Sequence, residues 1–375
     1  MSSSTADLLL TPLHKFHAEH GASFVDFAGW QMPIRYGSIH EEHRQVRTSG
    51  GLFDVSHMGR IRLKGLHARR LLERVLTRRI SDMKPLRCRY SLVCNEQGGT
   101  LDDVIVYRFE SDWLVVCNAS NRVAILEHLQ RHGAGKSVTI EDQTTTTAMV
   151  ALQGPAVMDM IERFSKEVPT LRRYAFCIKN LMILKLTISR TGYTGEDGVE
   201  LIMPASAVSM AMKLLYRGDD DASGAEIRPA GLGARDTLRM EAGMPLYGHE
   251  LDATIDPISA GLGFAVSLDK DEHEDGEPFI GQDALKRIEK NGPANRLVGL
   301  KLEGRRTARQ GMVVLCGDHA VGRVTSGCLS PTLGHPIAMA YVEADQSQAD
   351  TQLRVDLGKH VDEAQVVSLP FYRRR

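Results

Sequence analysis

The feature that most constrains the fold is a run of three short segments with alternating side chains near the middle of the first half. Over residues 86–94, apolar or aromatic side chains alternate with arginines and a serine, and this period of two favours a β-strand. Residues 95–99 predict a turn, and two further strands follow over residues 100–109 and 113–117. Strands joined by turns this short pair antiparallel, so a β-meander is predicted here.

Helical patterns surround the meander. Ser38, with Glu41 three residues later, predicts a capping box for a helix that Gly50 and Gly51 end. Residues 67–79 place leucines and valine at helical spacing with arginines on the other face. Ser120 predicts the start of a third helix. The centre of the chain is therefore predicted to be an α+β unit.

The rest of the chain is divided by one acidic segment. Before it, residues 148–152 and 181–188 predict strands, and a helix follows Pro155. Residues 269–278 are acidic and short of apolar side chains, which is typical of a linker. Beyond it, strands with turns between them are predicted over 297–302, 312–315, 338–342 and 366–370, which together form a small all-β domain.

Composition excludes several classes of protein. Of 375 residues, 46 are Lys or Arg and 47 are Asp or Glu, a balance that argues against a nucleic-acid partner. No apolar run approaches the ~18–20 residues that a membrane helix requires, and the first residues resemble neither a signal peptide nor a transit peptide. The 6 cysteines form no C-x-x-C pair. We therefore expect reduced thiols and a cytoplasmic location, or the mitochondrial matrix if a presequence is missing.

Three patterns resemble ligand sites and are rejected. Residues 133–137 end like a phosphate loop, but Gln130 stands where that motif needs its first glycine. His40 has Arg44, not histidine, four residues later, so the zinc-helix motif is incomplete. A histidine every third residue suits a solvated helix face at His14, His17 and His20. No bound nucleotide and no metal are predicted.

The pair Asp102-Asp103 is more informative about chemistry. Adjacent strand residues point to opposite faces, and both faces of this strand carry apolar side chains. At least one carboxylate is therefore predicted to lie among apolar groups, where it must be paired, hydrogen-bonded or shifted in pKa. Such environments produce catalytic acids and bases. The ordinary alternative, an aspartate that completes the turn at the start of a strand, is assigned to Asp102.

Two glycine-rich segments are candidate ligand loops. Residues 190–200 contain three glycines after a predicted strand, a density that favours either close approach of a ligand or simple tight turns. Residues 231–239 open a helix after two glycines and place Arg235 and Arg239 on one face, which suits an anionic or carbonyl-rich ligand. Asp236 stands where the dinucleotide fingerprint needs its last glycine, so dinucleotide binding is not expected.

Taken together, motifs along essentially the whole chain resemble those of the glycine cleavage T-protein (aminomethyltransferase) family, part of a wider folate-binding superfamily. The matching segments are, in order, residues 11–13, 25–33, 53–58, 98–103, 152–155, 191–200, 234–239, 246–248, 279–281 and 325–331. Each segment alone is weak evidence, but ten in the same order are specific.

The resemblance implies a fold and its boundaries. It implies an α+β protein built as a three-domain cloverleaf of mainly antiparallel sheets with flanking helices, a jelly-roll or barrel-like C-terminal domain, and folate in a central channel. The implied first domain is discontinuous and combines 1–57 with 145–262. A middle domain over 58–144 is inserted, an acidic linker follows over 263–277, and the C-terminal β domain covers 278–375.

The resemblance also implies site residues. Asp103 would be the catalytic carboxylate, with Tyr90 and Tyr107 from the same sheet. Glu200 and Arg235 would anchor a pterin, because a carboxylate accepts its adjacent N–H donors and a guanidinium binds its carbonyl. The remaining implied folate-binding residues are Met58, Val116, Asn118 and Tyr174.

The implied activity is transfer of a one-carbon unit from S-aminomethyl-dihydrolipoyl H-protein to tetrahydrofolate. The products would be 5,10-methylenetetrahydrofolate, ammonia and dihydrolipoyl H-protein. Tetrahydrofolate would be the acceptor co-substrate and lipoylated H-protein a transient partner, with no membrane and no nucleic acid involved. Two alternatives stay open at this point: a folate-dependent demethylase of the same fold, and a non-catalytic folate-binding protein.

Overall fold

A computed structural model describes residues 8–181, 184–215 and 227–374. The strands are β1 (Ser23–Phe27), β2 (Trp30–Arg35), β3 (Gly50–Asp54), β4 (Gly59–Lys64), β5 (Arg87–Cys94), β6 (Thr100–Arg108), β7 (Asp112–Cys117), β8 (Thr139–Asp142), β9 (Thr147–Gln153), β10 (Phe176–Leu181), β11 (Leu184–Ser189), β12 (Gly198–Pro204), β13 (Ile227–Pro229), β14 (Asn295–Leu302), β15 (Val313–Cys316), β16 (His319–Leu329), β17 (Pro336–Glu343), β18 (Gln352–Asp356) and β19 (Val361–Val367). The helices are α1 (His14–Glu19), α2 (Ile39–Thr48), α3 (Ala68–Val75), α4 (Arg122–Gly133), α5 (Val157–Glu162), α6 (Val208–Leu215), α7 (Leu232–Glu241) and α8 (Gln282–Asn291).

The predicted meander forms the centre of a five-stranded antiparallel sheet. Its strand order is β5-β6-β7-β4-β8, so the three meander strands are neighbours and β4 closes onto β7. Helices α3 and α4 bury their apolar faces on one side of this sheet, in a cluster that includes Leu71, Leu72 and Leu129. The alternating pattern predicted the three meander strands correctly, whereas β4 and β8 were not predicted.

A second sheet has six strands in the order β10-β11-β12-β9-β3-β13. It brings β3 from the start of the chain beside β9, which lies nearly a hundred residues later. Only its edge strand β13 runs parallel to a neighbour in the described residues. The two sheets face each other across an apolar cluster that holds Phe53 and Phe176 from the six-stranded sheet and Tyr107 and Val116 from the five-stranded sheet.

The C-terminal strands close into a barrel in the order β14-β17-β16-β15-β18-β19. The predicted α+β class and the barrel-like C-terminal domain are confirmed. Two features differ from prediction: β16 and β18 were missed, and α8 lies inside the segment predicted to be all-β. Helix α8 packs away from the barrel, because Leu285 joins a cluster with Leu92 and Cys94 of the five-stranded sheet. The division of the chain into domains stays a prediction.

Helix ends also differ from prediction. Helix α2 ends at Thr48, and Gly50 begins β3 instead of ending the helix. A Cβ on Gly51 would lie 2.5 Å from a methyl of Val46, so the helix and the strand approach too closely for a side chain at Gly51. Glu42, not Glu41, accepts the backbone N–H groups of the turn before α2. A 3-10 turn precedes α4, whose N-cap is Asn121 and not Ser120.

The acidic segment 269–278 is mostly exposed but is tied to the five-stranded unit at a few points. Lys270 is fully buried, and its Nζ lies 2.7 Å from a carboxylate oxygen of Glu73. Asp275 and Glu277 pair with Arg69 and Arg70 of α3. None of the helices in the described part of the chain has both the length and the apolarity that a membrane crossing demands.

Candidate active site

Asp103 lies in β6 on the face that Tyr107 shares, as the strand alternation predicted. One oxygen, Oδ2, accepts a hydrogen bond from the Tyr90 hydroxyl at 3.1 Å, and the other, Oδ1, accepts one from Nδ2 of Asn118 at 2.7 Å. Burial raises the pKa of Asp103 above its ordinary value, while these hydrogen bonds act in the opposite direction. Three of the predicted residues are therefore in direct contact.

Asp102 lies on the other face of β6 and is fully buried. Its carboxylate accepts hydrogen bonds from the backbone N–H of Asn118 at 3.0 Å and from Nδ2 of Asn121 at 2.8 Å. Nδ2 of Asn118 also donates to Asp102, at 2.7 Å. We call Tyr90, Asp102, Asp103, Asn118 and Asn121 the carboxylate cluster. Every carboxylate oxygen in it accepts at least one hydrogen bond.

Glu200 lies in β12 of the facing sheet, and it is buried with 6% of its surface exposed. The hydroxyl of Thr191 donates to its carboxylate, Thr191 bonds Ser189 at 2.8 Å, and Ser189 bonds the hydroxyl of Tyr107 at 3.0 Å. A hydrogen-bonded chain thus joins two predicted site residues that stand on different sheets. Burial raises the pKa of Glu200, against the opposing effects of Thr191 and the positive charge of Arg235.

Arg235 lies in the first turn of α7, where the glycines before it bring the helix against the backbone of Ile34. Its guanidinium lies over the ring of Tyr193, 4.8 Å from the ring centre. Its Nη1 is buried and has no hydrogen-bond partner in the described residues. Burial lowers the pKa of Arg235, although the charge of Glu200 acts in the opposite direction. A buried guanidinium N–H without a partner is costly and points to a missing acceptor.

Met58, Val116 and Tyr174 occupy less polar positions. Val116 is 4% exposed and Met58 packs beside it in the cluster between the two sheets. Tyr174 is 45% exposed and has a left-handed backbone, with φ of 58°. Burial and the charge of Glu200 raise the pKa of its hydroxyl, which places the ring within electrostatic range of Glu200.

Sequence reasoning missed three residues near these groups. His57 is 2% exposed, its Nδ1 has no partner in the described residues, and burial lowers its pKa to about 3, helped by the nearby charge of Arg235. Tyr193 lies beneath Arg235, and Phe264 stacks on Tyr90 with ring centres 6.1 Å apart. Ring planes and burial have no local sequence signature. We call His57, Glu200 and Arg235 the anchor cluster, since the charge of Arg235 acts on both others.

The arrangement suits an organic ligand that has both hydrogen-bond donors and an acceptor. Buried carboxylates can accept from adjacent N–H groups, and the unpaired guanidinium can donate to a carbonyl or an anion. In the described residues, no group of three or more His, Cys, Asp or Glu side chains is arranged to hold a metal ion. Fold and site therefore define an α+β protein with a C-terminal β-barrel and a set of polar side chains between its two larger open sheets that suits such a ligand.

Comparison with known proteins identifies the family. Residues 13–270 match the family model of the GCVT N-terminal domain, and residues 295–373 match the glycine cleavage T-protein C-terminal barrel domain. The chain belongs to the glycine cleavage T-protein family. The family, the fold class and the aminomethyltransferase activity predicted from the sequence are thereby confirmed.

Individual relatives agree over nearly the full length. An aminomethyltransferase of Rubrobacter xylanophilus is 46% identical over 97% of this chain and 94% of its own length. One of Saccharopolyspora erythraea is 44% identical, with 97% and 98% covered. Among solved structures, the glycine cleavage system aminomethyltransferase T of Bartonella henselae superposes with a TM-score of 0.89 at 31% identity, covering 98% of this chain and 99% of that one.

Proposed function

We propose that this chain transfers the one-carbon unit of an S-aminomethyl-dihydrolipoyl group, carried by H-protein, to tetrahydrofolate. The carbon–sulfur and carbon–nitrogen bonds of the aminomethyl group break, ammonia and a dihydrolipoyl thiol leave, and the carbon ends on two folate nitrogens as 5,10-methylenetetrahydrofolate. The observation that carries the proposal is Asp103, a half-buried carboxylate held by Tyr90 and Asn118, together with Nη1 of Arg235, which is buried without a partner in the described residues.

Tetrahydrofolate is the co-substrate that supplies the nitrogens for the one-carbon unit. The anchor cluster fits its pterin: Glu200 accepts from adjacent N–H groups, and the free Nη1 of Arg235 donates to the ring carbonyl. The network from Thr191 to Tyr107 holds the Glu200 carboxylate in one orientation. Val116 and Met58 supply an apolar surface beside the ring.

Asp103 has the central role in the chemistry. Its carboxylate orients the folate nitrogens and stabilises the positive charge that develops as the bonds of the aminomethyl group weaken. A low-dielectric surrounding strengthens that interaction, and the bonds from Tyr90 and Asn118 keep the carboxylate in place without reorganisation. Asp103 is not a nucleophile, because the folate nitrogen itself attacks the carbon.

A neighbouring cavity supports a lipoyl-bearing partner. It has a volume of about 330 Å³ and is lined by residues within 242–264, 297–299 and 347–370. Its lining contains no charged side chain in the described residues, and it includes Phe264, whose ring stacks on Tyr90. An uncharged aliphatic arm that ends in sulfur suits such a lining and would reach the site past Phe264. A cytoplasmic location remains part of the proposal.

The test is ammonia release from aminomethylated lipoyl H-protein, with and without tetrahydrofolate. We expect release that depends on tetrahydrofolate and yields methylenetetrahydrofolate in equal amount. Folate binding without ammonia release would overturn the proposal and favour a demethylase or a folate-binding protein. Assays with methylated amines or sulfonium compounds would then separate those two.

A further inference from the structure

One asparagine connects the two adjacent aspartates of β6. The side chains of Asp102 and Asp103 point to opposite faces of the strand, so the strand itself does not bring their carboxylates into contact. Nδ2 of Asn118 donates to Oδ1 of Asp102 and to Oδ1 of Asp103, each at 2.7 Å. An amide nitrogen has two hydrogens, and both are used here. The position of Asn118 therefore depends on Asp102.

Asp102 also holds the backbone around Asn118. Its Oδ2 accepts the backbone N–H of Asn118 at 3.0 Å, just after the end of β7. Its Oδ1 accepts Nδ2 of Asn121 at 2.8 Å, which ties down the turn before α4. Three N–H donors converge on one fully buried side chain, and such convergence requires a carboxylate with both oxygens available as acceptors.

We propose that Asp102 is a positioning residue for the reaction, acting through Asn118 to hold the Asp103 carboxylate in its productive orientation. The inference rests on the proposed function, in which Asp103 contacts the substrate. Asp102 itself is fully buried and bonded only to Asn118 and Asn121 in the described residues, so it has no substrate contact of its own. This role differs from that of an aspartate that only completes a turn.

The charge around Asp102 adds a dependence on pH. Burial and the neighbouring charge of Asp103 raise the pKa of Asp102 to about 7, against the hydrogen bonds from Asn118 and Asn121. The other titratable groups that face it are Cys117 of β7 and Tyr247. Protonation of Asp102 weakens it as an acceptor for the three N–H donors of Asn118 and Asn121. The hydrogen bonds that fix the position of Asn118 therefore weaken as the pH falls through the pKa of Asp102.

The experiment compares Asp102→Asn, Asp103→Asn and the double variant, with kcat and KM measured from pH 6 to 9. The amide that Asp102→Asn introduces offers one acceptor oxygen instead of two, so Asn118 loses one bond. We expect Asp102→Asn to lower kcat about 10- to 100-fold with little change in KM for tetrahydrofolate, and to remove a fall in kcat below about pH 7. In the Asp103→Asn background, the same substitution should cost less than twofold in kcat.

Other results would overturn the inference. A kcat of Asp102→Asn within twofold of wild type at every pH would do so. So would losses that multiply in the double variant, because a merely structural role acts independently of Asp103. Asp112→Asn, at the start of β7 in the same sheet, is the matched control, and Tm identifies variants that fail to fold.

The test also separates this inference from the proposed function. If wild-type protein releases no ammonia, the proposed function fails. The protonation of the aspartate pair is then measured against pH from the infrared band of protonated carboxyl groups. A wild-type titration near neutral pH that Asp102→Asn removes supports the coupled pair. A titration that survives the substitution rules out Asp102 as its source and overturns the inference.

Discussion

The carboxylate cluster and the anchor cluster satisfy their polar groups in different ways. In the carboxylate cluster, Tyr90, Asn118 and Asn121 supply hydrogen bonds to both aspartates. In the anchor cluster, Nη1 of Arg235 and Nδ1 of His57 are buried without a partner in the described residues. The first cluster is organised without a ligand, whereas we propose that substrate supplies the missing partners of the second. Loss of a hydrogen-bond donor in the carboxylate cluster should therefore lower the stability of the protein, whereas substitutions in the anchor cluster should lower its affinity for tetrahydrofolate.

The largest effect should come from Asp103→Asn. The variant keeps the size of the side chain but loses the charge that faces the reacting atoms. We expect the fold to be intact and turnover to fall by at least ~10²-fold, the usual scale for a lost acid, base or electrostatic group. Single-turnover ammonia release measures the effect, with Asp112→Asn as control. Near-normal turnover would remove Asp103 from the mechanism.

Arg235→Gln should weaken tetrahydrofolate binding by about 10- to 100-fold, since a hydrogen bond to a charged group contributes ~1.5–3 kcal/mol. Because the variant removes a cation whose Nη1 is buried without a partner in the described residues, its Tm should equal or exceed that of wild type. Asn118→Ala should lower Tm, since it removes the side-chain donor that Asp102 and Asp103 share and leaves Oδ1 of Asp103 without a donor in the described residues. Calorimetric binding and thermal unfolding measure both quantities, with the exposed Arg296→Gln as control. A lower Tm for Arg235→Gln than for Asn118→Ala would contradict the comparison.

Glu200→Gln should weaken tetrahydrofolate binding about tenfold, because a neutral amide accepts the pterin N–H groups less strongly than a carboxylate. Burial raises the pKa of Glu200 above its ordinary 4.5, so wild-type affinity should fall as the pH drops through that raised pKa. The affinity of the variant should not show that fall. Glu141→Gln, on β8 and away from the site, is the control for a titration of affinity against pH. Equal affinities and equal pH profiles would refute the anchoring role.

The smallest effect is expected at His57. Burial holds its pKa at about 3, so the ring is neutral near pH 7 and its Nδ1 offers a single hydrogen bond. We expect His57→Leu to weaken tetrahydrofolate binding about threefold to tenfold, the range of one neutral hydrogen bond, without a loss of Tm. His57→Asn, which keeps a polar atom near the same place, should recover part of the affinity. A drop in Tm with unchanged affinity would make His57 a structural residue.

Local patterns predicted strands β5, β6 and β7 of the five-stranded sheet because these strands alternate and their turns are short. They failed at α8 and β16, where the partner surface decides the structure. Gly322 and Gly327 interrupt the apolar pattern of β16, yet a Cβ at Gly327 would lie 2.4 Å from the backbone oxygen of Ala308, so the barrel requires glycine there. For the site, Asp103 and Tyr107 could be placed on one face by periodicity alone.

The sequence by itself determined the family and the class of reaction, because ordered motifs are properties of the chain. The tertiary structure decided which polar atoms have partners. Asn118 reaches both aspartates because β6 and β7 pair in one register. Nη1 of Arg235 is buried without a partner in the described residues, on a helix that packs into the cluster between the two sheets. Hydrogen bonding depends on distances across elements that are far apart in sequence, and no local pattern encodes those distances.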